Sequence, residues 1–220
     1  MSDYDFEHMR RAMVASQLRT TGVADANVLT AIGEVPRERF VPRERVPIAY
    51  ADALVPLGHG RELNPPMATA RLLSEASPRR RDRALVVGAA TGYSAAVLAR
   101  IVGSVVAVEE DAALAAFARE ALDGSGVELV EGPLAQGHEP GAPYDLIVVD
   151  GAVQSVPDAL VAQLAEGGRL AAAIVDRGVT RLGVGRKASG AFGLTIFTDA
   201  AAAILPGFAQ PRQFSFERAE

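Results

Sequence analysis

The chain has 220 residues, of which 49% are hydrophobic and 22% are charged, and its formal net charge is -5. These values are typical of one folded domain, and the negative charge argues against a nucleic-acid or anionic-membrane surface. The absence of cysteine excludes disulfides, thiolate catalysis and cysteine-based zinc sites. We also expect no metal site, because His8, His59 and His138 lack the spacing of a helical ligand pair.

The beginning of the chain is polar and mixed in charge, with no apolar segment after a basic start. No uninterrupted apolar stretch approaches the roughly 20 residues needed to cross a bilayer. We therefore expect a cytoplasmic location and no membrane partner. A basic run at 79–83 is the local exception to the negative charge, and we interpret it as a solvated loop before a strand.

The first third of the chain is predicted to be helical with loops. Residues 6–33 have helical apolar periodicity, and Gly22 is expected to separate two short helices. A proline-punctuated connector follows at 35–42, and the glycines and prolines of 50–66 indicate a loop. A further helix is predicted at 67–76, directly after two prolines.

From residue 84 apolar strands alternate with helices, which indicates a doubly wound, mostly parallel sheet covered on both faces. The predicted strands are 84–88, 105–109, 127–130, 145–150 and 169–175, and the predicted helices are 94–102, 111–122 and 157–165. The tail has a different pattern, which predicts antiparallel strands at 179–184, 194–198 and 213–216.

A glycine-bearing turn follows the first of these strands. Gly88 and Gly92 bracket the turn, at the carboxyl end of the strand, where open α/β sheets bind ligands. Glu109 ends the next strand and is placed to accept hydrogen bonds from the two hydroxyls of a ribose. The combination favours nucleoside binding over a purely structural turn. A dinucleotide fold stays open as an alternative, although Ala90 stands where its fingerprint has glycine.

A series of short segments carries a family resemblance. They are MVASQL at 13–18, VPRERFVP at 35–42, AYAD at 49–52, PLGHGRELNPP at 56–66, GAATGYSAAVLA at 88–99, YDLIVV at 144–149, VP at 156–157 and QLAEGGRL at 163–170. In this order they resemble the protein-L-isoaspartate O-methyltransferase family over residues 9–175. The resemblance implies a class I S-adenosylmethionine-dependent methyltransferase (Rossmann-like) fold in a single domain. In it, 1–83 supply N-terminal helices and the substrate-site loop, 84–175 the cofactor-binding core, and 176–220 the C-terminal strands.

The same resemblance implies a function. A methyl group passes from S-adenosylmethionine to the carboxylate of an isoaspartyl residue in a damaged protein or peptide. The nucleophile is already ionised near neutral pH, so alignment and exclusion of water are expected to matter more than a strong base. No metal and no nucleic acid are implied.

The resemblance also implies the site residues. Asn64 takes the position of a family serine that holds the accepting carboxylate, and is the candidate catalytic residue. The cofactor side comprises Gly88, Ala90, Gly92, Glu109, Gly132 and Pro133, and the substrate side comprises His59, Leu63, Asn64, Pro66 and Asp150.

Several of these positions depart from the family pattern. Asn64 replaces the serine, Ala90 replaces the second glycine, and Val86 replaces an acidic residue. Pro133 replaces the aspartate that reads the adenine amino group, and proline has neither a side-chain acceptor nor a backbone N–H. We therefore expect weak cofactor affinity, with Glu109 as the principal surviving contact.

Structural interpretations stand beside the functional ones. Asp150 is as well explained by capping or loop ordering as by contact with substrate, and His59 is better explained by loop ordering than by catalysis. Arg61 and Glu62 are expected to pair with each other in solvent.

Two alternatives compete with the enzyme. The first is a non-catalytic relative that keeps the fold as a binding or scaffolding module, which predicts the same fold. The second is a nicotinamide-dependent oxidoreductase, which the methyltransferase-like segments on both sides of Gly88 disfavour.

Overall fold

A computed structural model describes residues 5–209 of the chain. The fold is built around a seven-stranded sheet. Its strands are β3 (Arg83–Val87), β4 (Ser104–Glu109), β5 (Val127–Glu131), β6 (Tyr144–Val153), β7 (Leu164–Asp176), β8 (Val179–Ala188) and β9 (Ala191–Asp199), and their order across the sheet is β5-β4-β3-β6-β7-β8-β9. Strands β3 to β7 are parallel, whereas β8 and β9 are antiparallel additions at one edge.

The prediction of a doubly wound, mostly parallel sheet with antiparallel C-terminal strands is therefore confirmed. Strands β3 and β4 are buried along almost their whole length, and their side chains divide between two apolar clusters, one on each face. The strand predicted at 213–216 lies outside the described residues. Strand β7 begins five residues earlier than predicted, because Leu164 pairs with Tyr144 before an irregular stretch around Gly167 and Gly168.

Helices pack on both faces of the sheet and precede it. They are α1 (Phe6–Ala12), α2 (Ala26–Glu34), α3 (Pro66–Ala76), α4 (Tyr93–Ala99), α5 (Ala112–Ala121) and α6 (Asp158–Ala162). Helix α1 continues into a π-helical turn at Met13–Leu18, and Gly22, with φ +86°, separates it from α2 as predicted. Asp25 caps the start of helix α2, and its carboxylate accepts from the backbone N–H groups of Asn27 and Val28 at 2.8 and 3.1 Å.

The prediction of a loop over 50–66 is wrong in part. The segment contains a two-stranded antiparallel hairpin, β1 (Val55–Gly58) and β2 (Arg61–Leu63), that forms a sheet of its own. The glycines that indicated a loop supply the tight turn, where Gly58, His59 and Gly60 all have positive φ. The hairpin forms because Val55 and Leu63 are directly paired and buried.

The interpretation of 79–83 as a solvated loop is also wrong in part. The side chain of Asp82 is buried and forms an ion pair with Arg169 of β7. Its Oδ2 atom also accepts a hydrogen bond from the backbone N–H of Arg79 at 2.7 Å. The run therefore joins the end of α3 to the sheet.

The residues after β9 return to the carboxyl ends of the central strands. We call residues 200–209 the C-terminal segment. Ala203 O accepts from Ala152 N at 2.6 Å, and Leu205 N donates to Ala152 O at 2.9 Å, so the segment lies beside the end of β6. Leu205 and Phe208 are buried in the cluster that contains Val87 and Val108.

Within residues 5–209, no helix is both long enough and apolar enough to cross a membrane. The same part of the chain has no group of three or more His, Asp or Glu side chains placed to hold a metal ion.

Candidate active site

The glycine-bearing turn lies between β3 and α4 at the carboxyl end of the sheet. Its conformation depends on three positive φ angles, +79° at Gly88, +49° at Ala90 and +98° at Gly92. The backbone N–H groups of Gly88 and Ala89 both donate to Val108 O at 3.0 Å, which fixes the turn to the neighbouring strand. Ala90 is the strained member, because the left-handed region costs a non-glycine residue about 1–2 kcal/mol.

Glu109 ends β4 directly beside this turn. The side chain is fully buried, and its Oε2 atom accepts from the backbone N–H of Ala90 at 2.7 Å. Its Oε1 atom accepts from the backbone N–H groups of Glu110 and Asp111, both at 3.0 Å. The predicted cofactor carboxylate and the glycine turn are thus parts of one hydrogen-bonded unit.

Arg61 is the fourth donor to this carboxylate. Its Nη1 atom lies 2.6 Å from Glu109 Oε1, and its Nη2 atom lies 3.4 Å from Gly88 O. The residue is only 5% exposed. The expectation that Arg61 pairs with Glu62 in solvent is therefore wrong, because the hairpin turns Arg61 inward towards a buried opposite charge.

On the predicted substrate side, both the nitrogen and the oxygen of the Asn64 side-chain amide form hydrogen bonds. Its Nδ2 atom donates to Asp150 Oδ1 at 2.8 Å, and its Oδ1 atom accepts from the backbone N–H of Ala203 at 2.8 Å. The backbone O of Asn64 accepts from Arg37 Nη2 at 2.6 Å. Asn64 therefore joins the hairpin, β6 and the C-terminal segment at a single point.

Asp150 is buried and 7% exposed. Burial raises the pKa of Asp150 above its ordinary value, and the neighbouring Ser94, Asn64 and Arg37 oppose this effect only in part. The environment thus shifts the proton equilibrium of Asp150 towards the neutral carboxyl group, relative to an exposed aspartate.

The raised pKa of Asp150 leads to a testable prediction for the stability of the protein. An ionised Asp150 costs folding free energy, so its stabilising contribution is fully present below the unfolded pKa of about 4 and is lost as the pH rises through the folded pKa. We expect Asp150→Asn to raise the free energy of unfolding near pH 7, by an amount that vanishes below about pH 4. Urea unfolding across this pH range would measure it.

The control for Asp150→Asn is Asp123→Asn, which removes an equal charge from an exposed position. A lower stability of Asp150→Asn than of the unaltered chain at neutral pH would contradict the prediction. That result would mean that the attraction between Asp150 and the buried Arg37 outweighs the cost of burial.

The other predicted site residues lie near Glu109 or Asn64. Leu63 and Pro66 are buried on either side of Asn64 in the chain. Gly132 donates its N–H to Glu109 O at 3.0 Å, and Pro133 begins the short helical turn that follows. His59 is at the tip of the hairpin, where Nδ1 lies 3.1 Å from Asp111 Oδ2 and about half of the side chain is exposed.

Three residues of the site were not predicted from the sequence. Arg37 and Arg61 lie in the quoted segments at 35–42 and 56–66, which contain other charged residues, so no pattern marks either arginine as buried. Ala203 contributes only its backbone N–H, and no sequence pattern indicates that contact.

Comparison with known proteins identifies the relatives of this chain. The family model described as protein-L-isoaspartate(D-aspartate) O-methyltransferase matches residues 9–199. A protein-L-isoaspartate O-methyltransferase of Methanoculleus marisnigri is 40% identical over 171 residues, which cover 76% of this chain and 78% of that protein. One of Koribacter versatilis is 38% identical over 193 residues, covering 86% and 87%.

Solved structures show the same architecture. A protein-L-isoaspartate O-methyltransferase aligns with a TM-score of 0.79 and 25% identity, covering 91% of this chain and 66% of that longer one. A candidate enzyme of this name from Plasmodium falciparum, in complex with S-adenosyl-L-homocysteine, aligns with a TM-score of 0.74 and 20% identity, covering 90% and 96%. The match over most of its length shows that the chain belongs to the protein-L-isoaspartate(D-aspartate) O-methyltransferase family.

Proposed function

We propose that this chain transfers a methyl group from S-adenosylmethionine to the carboxylate of an isoaspartyl residue in a damaged protein or peptide. The observation that carries the proposal is the placement of Glu109 and Asn64 in a chain of this family. Glu109 is joined to the glycine turn through Ala90, and Asn64 is joined to the end of β6 through Asp150. Glu109 and Asp150 lie towards the carboxyl ends of the parallel strands β4 and β6, where this class of sheet binds ligands.

The cofactor side has donors and acceptors that fit a nucleoside. A turn with glycine at Gly88 and Gly92 allows a ligand to approach the backbone, and Glu109 offers carboxylate oxygens for ribose hydroxyls. When bound, S-adenosylmethionine would supply a methyl group on a sulfonium. The acceptor carboxylate oxygen would form the new O–C bond as the S–C bond breaks, with S-adenosylhomocysteine as the leaving group and no proton transfer. For ribose hydroxyls to bind Glu109 in this way, Arg61 has to move away from the carboxylate.

The side of the site that would hold the methyl-accepting carboxylate, which we call the acceptor side, offers a hydrogen-bond donor on Asn64. Asn64 Nδ2 carries two N–H bonds, and one of them is used by Asp150. The second is suited to orient an acceptor carboxylate. Burial raises the pKa of Asp150, which weakens its tendency to carry a negative charge beside an incoming carboxylate.

We also propose that cofactor affinity is weak and that the reaction takes place in the cytoplasm. The Ala90 methyl group occupies a position where the family has glycine, and Pro133 supplies neither donor nor acceptor for the adenine. Val86, on the buried strand β3, supplies no carboxylate.

The test is methyl transfer to an isoaspartyl peptide, with the same peptide containing ordinary aspartate as the substrate control. We expect labelled methyl ester on the isoaspartyl peptide alone. Asn64→Ala should lower kcat/KM by about tenfold or more, since a hydrogen bond to a charged group contributes about 1.5–3 kcal/mol. Asn27→Ala makes the same chemical change at an exposed helical position and should leave kcat/KM unchanged.

The non-catalytic alternative makes a different prediction for the same assay. It predicts no ester on either peptide, even at cofactor concentrations that saturate the protein. Binding of S-adenosylhomocysteine without methyl transfer would therefore overturn the catalytic proposal and favour a binding module.

A further inference from the structure

The most unexpected contact in the site is the ion pair between Arg61 and Glu109. Arg61 lies on β2, and its guanidinium reaches from the hairpin to the end of β4 at 2.6 Å. The side chains are 4% and 0% exposed. Opposite charges held at this distance and away from water attract each other far more strongly than a surface pair does.

Four donors approach the carboxylate of Glu109, and three of them share one of its two oxygen atoms. A carboxylate has about four lone-pair sites. One donor, the Ala90 N–H, approaches Oε2, and three donors approach Oε1, from Glu110, Asp111 and Arg61. Three of the four belong to the backbone beside the turn, so Arg61 is the donor that a side-chain movement can remove.

Within residues 5–209 the hairpin that carries Arg61 forms a sheet of its own, and its strands pair with each other. Its tip is held by the contact between His59 and Asp111 at 3.1 Å, and the chain directly after β2 is held by the side-chain hydrogen bonds of Asn64. A movement of the Arg61 side chain or of the hairpin tip therefore breaks no strand pairing of the seven-stranded sheet and leaves the Asn64 contacts in place.

We propose that Arg61 determines the cofactor affinity of this chain, by competing with the ribose hydroxyls for Glu109. The inference rests on the proposed use of S-adenosylmethionine. In the form described here Arg61 is bound to Glu109, and the cofactor binds to the form in which Arg61 has left Glu109. The apparent dissociation constant is then the intrinsic one divided by the fraction of molecules in which Arg61 has left. Arg61 thus acts as an internal competitor that an incoming nucleoside must displace.

The experiment is calorimetric titration of the full chain with S-adenosylhomocysteine, comparing the unaltered protein with Arg61→Gln. Glu109 keeps its three backbone donors in this variant, which should therefore remain folded. We expect Arg61→Gln to bind at least about tenfold more tightly, the lower limit for loss of a charge-assisted hydrogen bond. Arg61→Lys keeps a cation on a less well-matched side chain, and an intermediate affinity is expected.

The matched control is Arg119→Gln, which breaks an exposed ion pair with Glu131 and should leave the affinity unchanged. Equal or weaker binding by Arg61→Gln would overturn the inference alone, because Arg61 would then be neutral or would support the ligand. No binding by any folded variant would overturn the proposed cofactor together with the inference. Thermal unfolding of each variant establishes that it is folded.

Discussion

Replacement of Glu109 by alanine is expected to lower the free energy of unfolding by about 3–5 kcal/mol, the range for breaking a buried ion pair by removing one partner. The substitution leaves the guanidinium of Arg61 buried without its counter-charge. It also removes the acceptor of the backbone N–H groups of Ala90, Glu110 and Asp111. Urea unfolding at neutral pH measures the loss.

The control for Glu109→Ala is Glu131→Ala, which removes the partner of Arg119 in an exposed pair and should cost no more than about 1 kcal/mol. A double variant that also changes Arg61 to methionine should be more stable than Glu109→Ala alone, because no buried charge remains unpaired. Similar small losses for Glu109→Ala and Glu131→Ala would show that Arg61 reaches water when its partner is removed.

Replacement of Arg169 by alanine is expected to have a comparable effect at a point distant from the site. Arg169 donates from Nε to Ala76 O at 2.9 Å and from Nη2 to Ser77 O at 3.0 Å, and it also pairs with Asp82. Its removal leaves two carbonyl groups without these donors and a buried carboxylate without its cation. We expect a loss of about 3–5 kcal/mol in the free energy of unfolding, measured by urea denaturation.

Arg181→Ala is the matched control for Arg169→Ala, because Arg181 is partly exposed and pairs with Asp176 and Asp199 at the end of the antiparallel strands. It should change stability by less than about 1 kcal/mol. A similarly small loss for Arg169→Ala would contradict the assignment of Arg169 as the connection between β7 and the end of α3. Affinity for S-adenosylhomocysteine, measured well below the unfolding transition, should be the same in both variants.

The central sheet could be predicted from the sequence because its strands carry their own signal. Val105 to Val108 are apolar in succession, as a strand buried on both faces requires, and Asp111 marks the start of the next helix. The hairpin at 55–63 lacks such a signal. Its strands have four and three residues, and the first contains proline and glycine, so their pairing depends on the surrounding structure.

The sequence indicated some residues of the candidate site, but not the parts played by Arg37, Arg61 and Ala203, and not the contacts between them. Glu109 follows from its place at the end of a strand, and Asn64 from the family segment that contains it. The contact between Asn64 and Asp150 joins residues that are 86 positions apart, and that between Arg61 and Glu109 joins residues 48 apart. Such pairings depend on how the strands are ordered and on which side chains burial brings together, and local residue patterns do not specify them.

The contact between Ala203 and Asn64 has a consequence for the timing of synthesis. Ala203 follows all nine described strands in the chain, so ribosomes make it after the entire sheet. Chains fold from the N-terminus as they emerge. A nascent molecule can therefore assemble its core and its glycine turn while the acceptor side still lacks the backbone group that fixes the Asn64 amide. The contact that fixes the Asn64 amide can therefore form only after residue 203 has been translated, which is later than every strand of the sheet.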